Sequence, residues 1–289
     1  MSTSNPIETL AHSLESASVL DPPGKAIGSQ VRSLVPSGPV KDALSGTWLG
    51  HALHPLLTDV VIGSFTSATL LDVVGGVEAE TASQRLIALG IASYPVTALT
   101  GINDWADSEP ADDTVRRTGL IHAGTNAVAL GLYSASLLAR RNGSRGKGIA
   151  LSLAGMSVLG FGGWLGGHLS YRQGVGVDQT VFDPGSSEWQ RAADASQLSE
   201  GQPTRVVVED TPVLLLRDGG QIFALHDRCS HRGCSLSEGE VEGDEIVCGC
   251  HGSRFDRRDG SVRQGPATAP QPAYQTRERE GIVEIRLIA

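Results

Sequence analysis

The sequence predicts a two-part fold: an all-α transmembrane four-helix bundle followed by a small all-β domain. Three observations point there. Four apolar stretches follow one another in the first two thirds of the chain. Short β-type runs separated by turn residues fill the end of the chain. All four cysteines fall between positions 229 and 250, inside that β region.

The bulk properties agree with two domains. The chain has 289 residues, more than one small domain needs. Its formal net charge is −9 and it has no clustered basic footprint, so nucleic acid is excluded as a partner. Four cysteines confined to one segment are a local site and not a disulfide scaffold.

Residues 1–45 are a mixed polar segment, broken at Asp21-Pro22-Pro23-Gly24, with no apolar core of the kind a signal peptide carries. The helical domain is expected over 46–178. Its apolar stretches are Pro55–Gly75, Leu86–Ile102, Gly119–Ala139 and Ile149–His168, each about 17–21 residues, the length that crosses a bilayer core. Ser, Thr, Gly and Ala dilute the Leu, Val and Ile, and small residues of this kind let transmembrane helices pack closely. A soluble bundle would show a wide charged face. Here Asp59 and Asp72 are the only charges in the first stretch, and the other three stretches carry none.

A linker is expected over 179–200, around Asp183-Pro184-Gly185. The β domain follows over 201–289. Strands are expected at Arg205–Glu209, Val213–Arg217, Gln221–Asp227, Glu245–Val247, Tyr274–Glu280 and Ile282–Leu287. Asp218-Gly219-Gly220 and Asp259-Gly260 mark turns between them.

Inside this domain the chain reads Cys229-Ser230-His231-Arg232-Gly233-Cys234 and Cys248-Gly249-Cys250-His251-Gly252-Ser253. One C-x-H pair and one C-x-x-H pair on two loops suit a [2Fe–2S] cluster. Two thiolates, Cys229 and Cys248, hold one iron, and two imidazoles, His231 and His251, hold the other. Neutral imidazoles in place of thiolates raise the reduction potential, to roughly −150 to +300 mV. A Cys2His2 zinc site is the alternative, although the C-x-H spacing is unusual for zinc. Gly233 and Gly252 allow tight loops around the sulfurs.

These residues resemble the Rieske family over about 200–289. The resemblance extends to Gly265-Pro266-Ala267, which is similar to the proline loop that covers the cluster in that family. It implies a disulfide between Cys234 and Cys250, as in the Rieske proteins of cytochrome bc complexes, and such a bond argues for an oxidising compartment. It implies that Ser253 donates a hydrogen bond to a cluster sulfide, which stabilises the reduced cluster. High-potential members carry a Tyr where this chain has Phe255, so its potential is expected below theirs.

Four histidines lie in or beside the apolar stretches: His51, His54, His122 and His168. In an up-down-up-down bundle, the order of the spans puts all of them at one membrane face. Ionisable groups at that depth are usually functional. They are candidates for a haem b or a metal, with His54 and His122 or His168 as axial ligands. The alternative is that they cap helix ends and bond to Asp59 or Asp104. The segments 46–55 and 166–175 also resemble an uncharacterised four-helix membrane family that is fused to redox modules. That resemblance implies a membrane location and no established activity.

Arg140, Arg141, Arg145 and Lys147 fall between the third and fourth spans, and the opposite loop is mainly acidic. The positive-inside rule puts the basic loop in the cytoplasm and the β domain outside. Arg140-Arg141 could then act as an internal twin-arginine export signal. The sequence is therefore read as a multi-pass cell-membrane protein that carries single electrons through a [2Fe–2S] cluster. It would relay them to a haem, a quinone or a partner protein at the histidine face. The alternative is an electron-supplying component of an oxygenase or oxidoreductase complex, with the helices only an anchor. No dinucleotide fingerprint opens a βαβ unit, so a nicotinamide is not its direct donor.

Overall fold

The structure is a computed structural model and describes residues 6–288. Residues 1–5 of the polar N-terminal segment and Ala289 of the β domain lie outside the described residues. In chain order the helices are α1 (Pro6–Glu15), α2 (Asp21–Leu34), α3 (Pro39–Ser45), α4 (Leu53–Val74), α5 (Glu80–Ser108), α6 (Asp113–Arg141) and α7 (Arg145–Gly167). The strands are β1 (Gln190–Asp194), β2 (Pro203–Val208), β3 (Thr211–Asp218), β4 (Gln221–His226), β5 (Glu240–Glu242), β6 (Glu245–Val247), β7 (Arg254–Asp256), β8 (Val262–Gln264), β9 (Ala273–Arg279) and β10 (Ile282–Leu287).

These elements form two compact units. One holds residues up to Leu34 and Leu53–Val175. The other holds Val35–Ala52 and Gly176 onward. The units cut across the linear boundaries expected from the sequence, because α3 and its flanks join the β unit.

In the helical unit, α4 packs mainly on α5, and α6 on α7. Phe65 and Tyr133 stack at its centre with ring centroids 4.0 Å apart, against Val61, Ile87, Ala129 and Leu159. Gly90 lies under the Phe65 ring and Gly155 under Tyr133, where a larger residue would collide with the aromatic face. The Tyr133 hydroxyl is satisfied by Thr69 Oγ1 at 2.7 Å. The glycines of the apolar stretches thus make room for aromatic rings in the helix core.

Three helices are long and apolar enough to cross a membrane: α4, α5 and the run from Arg145 to Arg172. Of the four expected spans, the third, over 119–139, falls on a less apolar helix. The helix at that place, α6, does not reach the same apolarity among the described residues. It buries Arg116, Thr118, Ser136 and Arg140, and its polar residues face its neighbours. Leu56, Val60, Leu70, Val73, Leu89, Val96 and Leu99 stand exposed on α4 and α5.

The basic loop expected from Arg140 is also corrected. Arg140 ends α6 with its side chain fully buried. It binds Asp72 at 2.5 Å and Glu80 at 2.7 Å, and Arg145 shares Glu80 at 2.9 Å. One ion-pair network therefore joins α4, α5, α6 and α7. The network removes Arg140 from any exposed twin-arginine signal. Sequence separation hides it: Asp72 and Arg140 are 68 residues apart.

In the β unit the strands build a six-stranded sheet, β1-β10-β9-β4-β3-β2, and a four-stranded sheet, β5-β6-β7-β8. All neighbours are antiparallel. The continuous apolar run Val213-Leu214-Leu215-Leu216 in β3 is buried on both faces, as a central strand should be. Leu214 and Leu216 meet Ile246 and Phe255 of the small sheet, while Val213 and Leu215 meet Tyr274, Val283 and Ile285. The expected linker contains β1, which pairs with β10. Beside it, Trp189 stacks under Arg277 and Arg286 at 4.0 and 4.8 Å. Gln-Arg-Ala-Ala-Asp has no alternating apolar pattern, so backbone pairing makes this strand and the sequence does not mark it.

Replacing Arg140 by Ala strands the buried Asp72 carboxylate, at a cost of about 3–5 kcal/mol. Denaturant unfolding of the solubilised protein is expected to show that loss, and Asp72→Asn in the same chain to recover part of it.

Candidate metal centre

Two loops build the site, one between β4 and β5 and one between β6 and β7. Each begins with a buried thiol, Cys229 or Cys248. Each then makes the same turn. Gly233 N donates to Cys229 O at 2.8 Å, and Gly252 N donates to Cys248 O at 3.0 Å. Both glycines take positive φ, 78° and 75°. A side chain there would be strained, so the two sequence positions match for a conformational reason.

The turn points backbone N–H groups at sulfur. His231 and Arg232 donate to the Cys229 sulfur, and Cys250 and His251 donate to the Cys248 sulfur. A hydrogen bond from the Cys229 thiol, reinforced by those amides, brings the Cys248 thiol down to about 6. The shared proton and burial push Cys229 up. The pair therefore ionises first at Cys248, and metals take such sulfurs as thiolates.

The two rings meet edge to face, His231 against His251, with centroids 5.0 Å apart. His231 Nδ1 is buried without a hydrogen-bond partner. A buried orphan nitrogen is costly unless something binds it. The structure thus brings together Cys229, His231, Cys248 and His251, and two thiols, two imidazoles and an unsatisfied ring nitrogen fit a mixed-ligand [2Fe–2S] cluster. Among the described residues no three His, Cys, Asp or Glu side chains converge on one metal-ion position.

Cys234 and Cys250 form a disulfide that ties the two loops. Ser253 is fully buried and accepts from Ala267 N at 3.0 Å. Phe255 lies in the core beneath both cysteines, with no hydroxyl to offer a sulfur.

Sequence reasoning missed two residues that hold the first loop. Gln271 is buried; its Oε1 accepts from Ser230 N at 2.7 Å, and its Nε2 donates to His226 O and Arg228 O at 2.9 Å each. Asp227 accepts from Ser237 N at 2.7 Å, Ser235 Oγ at 2.6 Å and Arg205 Nε at 3.0 Å. Neither residue sits in a motif, and only long-range folding gives either its partners.

Each helix histidine has a nearest partner of its own. His51 is exposed and belongs to the β unit, its Nδ1 3.1 Å from Ala52 O. His54 Nδ1 donates to Thr97 O at 2.9 Å, and His122 Nδ1 donates to Gly162 O at 2.9 Å. Asn126 Nδ2 lies 3.1 Å from His122 Nε2. His168 Nε2 pairs with Glu15 at 2.8 Å. The expected partners Asp59 and Asp104 are replaced by carbonyls of the neighbouring helices and by Glu15, because buried rings satisfy the nearest backbone groups.

A β unit with two disulfide-tied Cys/His loops is an iron–sulfur electron-transfer domain. Residues 188–275 match the Rieske [2Fe-2S] domain family, and residues 50–179 match a family described as "Predicted membrane protein (DUF2231)". The chain belongs to the Rieske [2Fe-2S] family, with the membrane-protein family domain preceding it. It is similar to the anthranilate 1,2-dioxygenase ferredoxin subunit of Burkholderia cepacia, 34% identical over 35% of this chain and 94% of that one. It is also similar to the ferredoxin CarAc of Metapseudomonas resinovorans, 35% identical over 34% of this chain and 92% of that one. Among solved structures, the ferredoxin of carbazole 1,9a-dioxygenase from Nocardioides aromaticivorans is 31% identical over 35% of this chain and 98% of that one, with a TM-score of 0.33. These relatives speak for the β unit alone.

Gln271→Ala removes three buried hydrogen bonds, and a loss of about 2–3 kcal/mol in the β unit is expected. Thermal unfolding of the full chain checks it, together with a lower iron content per chain.

Proposed function

We propose that this protein is a membrane-anchored one-electron carrier in which Cys229 and Cys248 hold one iron of a [2Fe–2S] cluster and His231 and His251 hold the other. The observation that carries this reading is the pair of matched turns, each presenting a buried sulfur to backbone N–H groups. When bound, the cluster supplies a one-electron redox step. The protein's own residues do the rest. The sulfur-facing amides and Ser253 favour the reduced, more negative cluster. Ser253 Oγ already accepts from Ala267 N, so its hydroxyl hydrogen is left to donate to a cluster sulfide. Phe255 adds no donor, which holds the potential below that of the Tyr-bearing proteins.

The helices anchor the carrier. The apolar exposed faces of α4 and α5 support a lipid setting. The Cys234–Cys250 bond favours an extracytoplasmic β unit. Protease accessibility in intact cells tests that side.

A second reading is favoured by the similar ferredoxin subunits of dioxygenases. Here the chain supplies electrons to an oxygenase-type partner, and the helices only anchor it. Co-purification separates this from transfer to a quinone.

A haem b at His54 with His122 or His168 remains part of the first reading. The Nδ1–H groups of His54 and His122 both go to carbonyls, the arrangement that presents Nε2 to a metal. Against it, Asn126 lies at His122 Nε2 and Glu15 holds His168 Nε2. A b-type Soret band in the purified protein supports the haem, and a spectrum without one removes it.

The purified chain is expected to give the EPR signal of a reduced mixed-ligand cluster. Cys248→Ser is expected to lose it, and Phe255→Tyr to raise the midpoint potential. A cluster retained in full by Cys248→Ser would overturn the ligand assignment.

A further inference from the structure

Residues 35–52 fold with the β unit, although the whole of 53–175 separates them from the rest of it in the chain. Within that unit they bond to the second cysteine loop and to the proline loop. Ser37 Oγ donates to His251 O at 3.0 Å, on the second cysteine loop. Asp42 Oδ1 accepts from Gly265 N at 2.9 Å, and Thr47 Oγ1 donates to Ala267 O at 3.3 Å, both on the proline loop. Lys41, only 4% exposed, comes close enough to His231 for its charge to act on that ring.

The fit is close. A Cβ on Gly252 would stand 2.7 Å from Ser37 Oγ, and one on Gly265 would stand 2.9 Å from Asp42 Oδ1. Two glycines beside the ligands thus leave the space that this segment occupies. The helix α3 runs from Pro39 to Ser45 and is followed by Gly46, whose left-handed φ of 83° turns the chain toward Thr47. The hydrogen bonds from Ser37, Asp42 and Thr47 therefore come from the two flanks and the middle of one short clasp.

We propose that residues 35–52 are a further cluster-enclosing segment, which closes on the second cysteine loop and the proline loop and brings the buried Lys41 ammonium within electrostatic reach of His231, so that it retains the cluster and raises its reduction potential. The physical reason is Coulombic. Reduction adds one negative charge to the cluster, and a buried cation nearby favours that state more strongly than a solvated one does. The other charges around His231 are Arg232 and the His251 ring, and the Asp42 carboxylate beside Lys41, which accepts from Gly265 N, keeps its charge and offsets part of the lysine's. The segment also reaches the backbone of His251, so a redox partner at that loop meets this clasp as well. The inference rests on the cluster assignment made under Proposed function.

The test uses the full chain in detergent, with midpoint potential and chelator-driven iron release as readouts. Lys41→Met keeps the volume and removes the charge. Its midpoint is expected below wild type, while Lys41→Arg stays near it. The double variant Ser37→Ala, Thr47→Val is expected to release iron about tenfold faster, because two hydrogen bonds that hold the segment to the loops are lost. A wild-type midpoint in Lys41→Met, or wild-type iron release in the double variant, overturns the inference while the cluster assignment stands. A wild-type chain with no cluster signal removes both.

Discussion

The site depends on one constraint: two thiols must be buried and still be made to ionise. Burial alone disfavours a thiolate. The chain meets this with a turn used twice, each copy aiming backbone N–H groups at its own sulfur. The turn closes only if the residue four positions after each cysteine takes positive φ, and Gly233 and Gly252 stand there. Everything nearby serves to hold the copies in register. The disulfide joins them, Gln271 and Asp227 brace the first, and Ser37 braces the second.

The sheet arrangement follows from that need. The second cysteine loop is a short β6–β7 connection, and the first runs from β4 of the large sheet to β5 of the small one. Leu214, Leu216, Ile246 and Phe255 fill the space between the sheets beneath the cysteines. A dry apolar floor strengthens the amide–sulfur interactions above it. The same floor holds Phe255, so one residue serves both packing and the electrostatics of the site.

The helical unit solves a different problem with the same economy. Several of its buried polar groups are matched across the bundle. Arg140 with Asp72 and Glu80 locks four helices together, and Thr69 with Tyr133 satisfies a buried hydroxyl. The histidines obey the same rule, each ring having its own partner. This is why a row of histidines along the sequence is not by itself a binding site.

The sequence by itself determined what local spacing can express. Apolar length marked the helices, and alternation with turn residues marked the main strands. The Cys/His spacing pointed to the candidate site, because its residues lie in two short loops and are neighbours in the chain. The resemblance to a known family supplied the Cys234–Cys250 pairing. What only the tertiary structure decided are the meetings of distant residues. These include strand β1, the buried Arg140, the partners of the histidines, and the bracing of the ligand loops by Gln271 and by residues 35–52. Each depends on a hydrogen bond or ion pair between positions tens to hundreds of residues apart. Such pairs leave no periodicity in the chain, since a buried polar group is satisfied by whichever partner the fold brings to it.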